Sequence, residues 1–267
     1  MQTDNKKKST IAVINQKGGV GKTTTVINLA SSLSILGLRN LIIDLDPQGN
    51  ATTGLGKSNN DETKNIYNLL IKKINLEESI QTTNIKNLEI IGSNVNLSGL
   101  EVETANDANR AFVLKTILNA NKDNLLSKYD NIFIDCPPSL SLLTIMALVA
   151  SDELLVPLQT EFFALEGITQ LVKTIDRIKV NLNPELKVRG ILLTMFDKRN
   201  KLSSQVDKEA RNYFKDKVYE TVIPRNVRLS EAPSHGLPCV VYDKTCSGSK
   251  SYLKLAKKVL AKKKINV

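Results

Sequence analysis

The stretch Ile14-Asn15-Gln16-Lys17-Gly18-Gly19-Val20-Gly21-Lys22-Thr23-Thr24 decides the fold. A strand-like run, Thr10-Ile11-Ala12-Val13-Ile14, enters it, and an amphipathic helical stretch over 24–36 leaves it. Its glycines let the backbone curl until successive N–H groups face one concavity, an anion nest at the start of a helix. In that setting Lys22 reaches the β- and γ-phosphates of a nucleoside triphosphate, and the Thr23 hydroxyl takes a Mg²⁺ position. Residues Lys17, Gly18, Gly19, Val20, Gly21, Lys22, Thr23 and Thr24 form the expected phosphate cradle. A dinucleotide site of G-x-G-x-x-G type is the nearest imitator, since Asp44 lies about 20 residues on, where a ribose-binding acid belongs. That pattern fails at Thr24, which stands where the third glycine is needed.

Outward from this segment, apolar runs alternate with helical periods. Strands are expected at 10–15, 40–44, 88–92, 131–135, 153–158 and 188–194, with a short one at 219–223. Helical patterns fall at 24–36, 63–73, 109–127, 140–150, 163–181, 203–215 and 249–263. The runs at 40–44 and 131–135 are almost wholly apolar and end in acids, as buried parallel strands do. The alternation predicts an α/β fold: a doubly wound, mostly parallel sheet flanked by helices, with ligand at the carboxyl ends of the strands. The polar stretches 56–64 and 93–109 read as surface excursions. No repeat or long linker divides the chain, so a basic tail at 1–8 and a single domain over 9–267 are expected.

The acids at the strand ends complete the expected site. Ile132-Phe133-Ile134-Asp135 offers a carboxylate for Mg²⁺ beside Thr23. Leu41-Ile42-Ile43-Asp44-Leu45-Asp46 supplies a second acidic end, and two-residue alternation places Asp44 and Asp46 on one side, both able to face a γ-phosphate.

Composition bounds what else the chain can be. The formal charge is +10 at pH 7, but residues 1–186 carry 18 basic against 20 acidic side chains, and 187–267 carry 19 against 7. A basic final third on a near-neutral body points to a polyanion surface. No run of 18 apolar residues spans a membrane, and no apolar segment follows Lys6-Lys7-Lys8 as in a secretory signal. The 3 cysteines, Cys136, Cys239 and Cys246, lack C-x-x-C spacing and fit a reduced cytoplasm. Cys136 reads as a small buried residue and His235 as a loop residue. The stretch 252–264 is basic and amphipathic but lacks Trp and Phe, so it reads as a helix closing the core rather than one lying on lipid.

The loop also departs from the ordinary pattern G-x-x-x-x-G-K-[ST]. Gln16 stands at the first glycine position, and a second lysine, Lys17, follows it. Lys17-Gly18-Gly19-Val20-Gly21-Lys22-Thr23-Thr24 resembles the deviant Walker A motif of the ParA/MinD group of ATPases. The resemblance extends over nearly the whole chain to the Soj/ParA partitioning branch. It implies ATP with Mg²⁺ as ligand, and a homodimer in the ATP-bound state in which Lys17 reaches the partner's phosphates. Asp44-Leu45-Asp46-Pro47-Gln48-Gly49-Asn50 is similar to the branch's switch I, which makes Asp46 the acid supporting hydrolysis. The segment from Pro157 to Gly167 looks like its dimer-facing switch. Ile223-Pro224-Arg225-Asn226-Val227-Arg228 resembles the loop around the adenine, with Pro224 and Asn226 as contacts.

The same resemblance places DNA contacts at Arg199 and Arg228, with Lys198, Lys201, Lys244 and Lys250 extending the surface. It implies a weak ATPase that binds double-stranded DNA without reading sequence. The activity would be stimulated by DNA and by a ParB-type centromere-binding partner, and the protein would associate with the nucleoid. A MinD-like membrane-cycling ATPase is the main alternative. An iron–sulfur reductase needs cysteines placed to bridge a cluster, which these are not. A DNA-coating protein without activity leaves Lys22 and Asp46 without a task.

Overall fold

The structure is a computed structural model that describes residues 8–161 and 164–265, and the side chains of these residues apart from 164–170 and 262–265. Most of the expected basic tail and the centre of the 157–167 switch therefore lie outside the described residues, as do the side chains of the last lysines. The sheet comprises β1 (Ser9–Val13), β2 (Asn40–Asp44), β3 (Gln81–Thr82), β4 (Leu88–Ile91), β5 (Asn131–Asp135), β6 (Glu153–Gln159) and β7 (Lys187–Thr194). Their order across the sheet is β3-β4-β2-β5-β1-β6-β7. All neighbours run parallel except β3 and β4.

Strict two-residue alternation divides the core. Ile11, Val13, Ile42 and Phe133 face one side, against the helices Lys22–Ile35 and Ser247–Ile265. Ala12, Ile14, Leu41, Ile43, Ile132 and Ile134 face the other, with Leu114, Met146, Leu171 and Ile175. Both faces are dry, which explains the continuous apolar runs. Because β1 lies between β5 and β6, the chain reverses its winding at β1, and the loop after Val13 opens at the switch point where such sheets bind ligands. Register sets Asp135 beside Val13 on one side and Asp44 on the other.

The C-terminal helix buries Tyr252, Leu255, Ala256 and Val259, and the Tyr252 hydroxyl lies 3.0 Å from Thr25 Oγ1 of the helix after the phosphate loop. Its apolar face is thus spent on the core rather than left for lipid. Among the described residues no helix is long and apolar enough to cross a membrane.

Several elements differ from expectation. The first helix starts at Lys22, two residues early, because Gly21 takes a left-handed conformation (φ 91°) that turns the chain straight into it. Residues 219–223 make no strand; Tyr219 N–H and Ile223 N–H donate to the Ile191 and Leu193 carbonyls of β7 at 2.9 and 2.8 Å, and isolated bridges flank them at Val218 and Pro224, without a continuous ladder. There the Tyr219 ring packs where a side chain at Gly190 would stand, 2.5 Å from an added Cβ. The segment 93–109 is not merely a surface excursion, since Leu97 and Leu100 are buried in the core. The helix expected at 63–73 contracts to Ile66–Leu70, capped by the Asn65 side chain. The one expected at 109–127 reduces to Val113–Ala120 between short 3-10 turns.

Candidate active site

The phosphate loop is held from both ends. Asn15 accepts a hydrogen bond from the Lys17 N–H at 3.0 Å and donates one to the Pro157 carbonyl at 2.7 Å. At the far end the Thr194 hydroxyl donates to the Val20 carbonyl at 2.8 Å, which fastens the loop to the tip of β7. Between these anchors Gly19 and Gly21 take φ of 73° and 91°, a region that L side chains enter only with strain.

The two lysines of the motif face different surroundings. Lys22 is only 7 % exposed, and its Nζ donates to the Lys17 carbonyl at 3.1 Å. Burial lowers its pKa, while Asp135, Cys136 and Asp46 oppose the shift. Lys17 is half exposed and pairs with Glu161 at 2.6 Å, and the Gln159 amide donates to the same carboxylate. One cation therefore lies inside the cradle and the other outside it.

Asp135 is fully buried, and among the described residues no donor meets either carboxylate oxygen at full hydrogen-bond geometry. Burial, then the neighbouring Asp44 carboxylate, push its pKa well above the ordinary carboxylate range, with the Thr23 hydroxyl pulling the other way. Buried carboxylate oxygens without donors cost several kcal/mol unless a cation or water supplies them (roughly 1–3 kcal/mol for each unmet group, and more when charged). A hydrated divalent cation held by Thr23 and Asp135 meets that need, and hard oxygen donors are what Mg²⁺ takes. The fit is chemical as well as positional.

Asp44 departs from the sequence reading. Its Oδ2 accepts from the Thr52 N–H and hydroxyl at 2.8 and 2.7 Å, and its Oδ1 accepts from the Asp46 N–H at 3.2 Å. Burial pushes its pKa up to about 6 against these hydrogen bonds. Asp44 thus fixes the turn and the short helix Asn50–Gly54 instead of facing a phosphate. The Asp46 carboxylate, on a residue 7 % exposed, accepts from the Gln48 N–H at 3.0 Å and, among the described residues, from no other donor, so it is the acid left available.

The comparisons with known proteins enter here. The family model described as an AAA domain matches residues 8–188. The sporulation initiation inhibitor protein Soj of Bacillus subtilis is 50 % identical over 251 residues, covering 94 % of this chain and 98 % of that one. The chromosome partitioning protein ParA of Caulobacter vibrioides is 48 % identical over 254 residues, covering 95 % and 94 %. This chain belongs to the ParA/Soj family. Among solved structures it is similar to a cobyrinic acid a,c-diamide synthase from Mycobacterium smegmatis with bound ADP and magnesium. That likeness has a TM-score of 0.82 at 31 % identity, over 95 % of this chain and 94 % of that one.

In this ParA/Soj chain the segment quoted for adenine joins the same rim. Arg225 N–H donates to the Phe196 carbonyl at 3.1 Å and Phe196 N–H to the Ile223 carbonyl at 3.0 Å. The left-handed turn at Met195 (φ 52°) aims Phe196 into that pairing. Pro224 is half-buried in the same loop. Asn226 caps the helix Val227–Glu231 through its Oδ1 and donates to Ser247 Oγ at 2.9 Å, so the chain itself already uses both ends of its amide.

The basic residues lie around this rim. Arg199 is 91 % exposed and forms a two-pronged pair with Asp197 at 3.0–3.1 Å. Arg228 is half exposed, 2.6 Å from Glu231 and 3.6 Å from Asp243. Lys198, Lys201, Lys244 and Lys250 are all exposed. The segments leading to Arg199 and to Arg228 are tied together by the Phe196–Pro224 bridge.

Cys136 is buried, as expected, at 1 % exposure. His235 ends a short 3-10 turn and stacks on Tyr242 at 4.8 Å between centroids. Sequence reasoning missed Asn15, Thr52 and Thr194 and gave Glu161 no task. A buried polar residue just before a glycine loop could have flagged Asn15; nothing local marks the other three.

Proposed function

We propose that this protein is a chromosome- or plasmid-partitioning ATPase that dimerises on ATP and binds DNA in that state. The unequal placement of Lys17 and Lys22 carries the reading. Lys22, buried in the cradle, neutralises β- and γ-phosphate oxygens of its own nucleotide through charge-assisted hydrogen bonds. Lys17, half exposed and paired outward with Glu161, is free to exchange that carboxylate for the phosphates of a second subunit. Magnesium, when bound at Thr23 and Asp135, would draw charge from the phosphates. Asp46 orients the attacking water, Pro224 flanks the adenine, and Asn226 holds the adenine loop to Ser247 while it contacts the base.

The dimer pairs two basic rims. DNA then binds through phosphate contacts from Arg199, Arg228 and the surrounding lysines, without base reading. The intramolecular pairs of both arginines are exposed to solvent screening and yield readily to a phosphate. Hydrolysis is slow alone and is stimulated by DNA and a ParB-type protein, which returns the dimer to monomers off the DNA. The relatives are named for chromosome partitioning, which supports cargo of this kind and a place in the cytoplasm on the nucleoid. The synthase shares the fold and a magnesium–nucleotide ligand, and its named activity stays with it.

Light scattering of Lys17→Ala with ATP tests the division of labour. The variant is expected to bind ATP and remain monomeric. Dimerisation equal to that of the unsubstituted protein would contradict the cross-subunit role.

A further inference from the structure

The helix Ser247–Ile265 begins directly after Cys246, and three polar side chains gather at its first turn. The sulfurs of Cys239 and Cys246 lie 3.5 Å apart. The Cys246 thiol donates to the Ser249 hydroxyl and that hydroxyl to Cys239 Sγ, each at 3.3 Å. The Ser249 N–H also donates to Cys246 Sγ at 3.4 Å. The two thiols differ in access. Cys239 is fully buried and Cys246 half-buried. Burial is the main reason that the Cys239 thiol is pushed up to about 11. Cys246, by contrast, is open to solvent, and so to a small oxidant, while its sulfur stays within reach of Cys239.

The loop between the sulfurs touches both halves of the rim. Asp243, within it, holds the Thr245 and Cys246 N–H groups at 2.9 and 3.1 Å and pairs with Arg228. Ser247, next to Cys246, accepts the hydrogen bond from Asn226. A covalent bond between the sulfurs must close 3.5 Å to about 2 Å, and that movement draws on the loop that carries the Ser247–Asn226 and Asp243–Arg228 contacts.

We propose that Cys239 and Cys246 form a reversible dithiol–disulfide pair, oxidised by a hydroperoxide, that loosens the nucleotide loop at Asn226. The Cys246 sulfur attacks the terminal peroxide oxygen, the O–O bond breaks, and the leaving oxygen takes up the thiol proton to depart as an alcohol or water. The resulting sulfenic acid is attacked by Cys239 sulfur as its proton passes through Ser249, which lies between the two. The S–O bond breaks, the S–S bond forms, and hydroxide takes the proton to leave as water. The pair loses two electrons and two protons, and the peroxide gains them. A dithiol reductant reverses the step by exchange. The sulfur chemistry stands by itself; its effect on nucleotide rests on the reading of Asn226 given above.

Lys244 lies between the cysteines, so trypsin separates them unless they are bonded. Reduced protein treated with a small excess of hydrogen peroxide should yield the two peptides joined in non-reducing mass spectrometry. Titratable thiols should fall from 3 to one and return with dithiothreitol. Fluorescent mant-ADP should bind the oxidised form several-fold more weakly, a change reversed by dithiothreitol and absent in Cys246→Ser. Persistence of all thiols, linkage only through Cys136 between chains, or sulfinic acid at Cys246 without linkage would overturn the pairing. A linked pair with unchanged mant-ADP affinity would overturn the coupling. Reduced protein that fails to bind mant-ADP would count against the nucleotide reading, while the peptide map still judges the pair.

Discussion

The cradle and the basic rim open at the same end of the sheet, yet they are built on opposite physical terms. In the cradle Lys22 is 7 % exposed and Asp44 and Asp135 are fully buried, so each charge is fixed by its neighbours and none can be removed without upsetting another. On the rim Arg199 is 91 % and Arg228 half exposed, each resting on a nearby acid in high dielectric. The difference teaches what each region can do. Buried charge gives geometry and all-or-none behaviour; exposed charge gives additive, salt-sensitive attraction to a polyanion.

Substitutions in the cradle should therefore have the largest effects. Lys22→Ala should abolish nucleotide binding, because it removes the buried cation and leaves Asp135 and Asp46 facing the phosphates unopposed. Isothermal titration with ATP and Mg²⁺ checks it, and binding within tenfold of the unsubstituted protein would show that the loop backbone suffices. Asp46→Ala should leave ATP and Mg²⁺ binding intact, since Thr23 and Asp135 remain. It should slow hydrolysis by about 10² or more, the usual range for a positioned acid or base. Undiminished phosphate release would mean that another acid orients the water.

Effects on the rim should be smaller and graded. Arg199→Ala and Arg228→Ala should each weaken DNA binding about equally for all sequences and make the log–log salt slope shallower by about 1. ATP-driven dimerisation should survive in both. A double variant with unchanged slope and affinity would remove these arginines from the interface. The smallest effect belongs to Asp197→Asn. The Arg199 guanidinium holds the Asp197 carboxyl down at about 2, so the pair is intact at neutral pH, and releasing it should tighten DNA binding by no more than about fivefold, the scale of an exposed ion pair. Weaker DNA binding by this variant would show that Asp197 poses Arg199 for its target rather than competing with it.

The same contrast explains what the amino-acid sequence disclosed. The loop 17–24, the strands ending in Asp44 and Asp135, and the mostly parallel sheet were legible because each leaves a local mark: glycines at positive φ, an unbroken apolar run, a two-residue period. The Lys17–Glu161 pair joins residues 144 apart, and the Thr194–Val20 bond joins residues 174 apart, so no window contains either. Asp44 reads as a phosphate-facing acid until Thr52, 8 residues later, folds back onto it. β3, two residues long, has no room for a period. The segment 219–223 has strand composition, but it reaches β7 by the N–H groups of Tyr219 and Ile223 with no continuous ladder between them. The basic third was visible as charge, and its acid partners Asp197 and Glu231 were hidden within it.

Whether the two regions work as one is decided by binding to random-sequence double-stranded DNA with Mg²⁺–ATP, with Mg²⁺–ADP and without nucleotide, at several salt concentrations. Fluorescence anisotropy with the Asp46→Ala protein keeps the ATP state from decaying during the measurement. Tight binding with ATP alone, with a steep salt slope that Lys17→Ala abolishes, is the predicted result. Equal affinity in all three nucleotide states would contradict it, since the rim would then bind DNA without the cradle's consent.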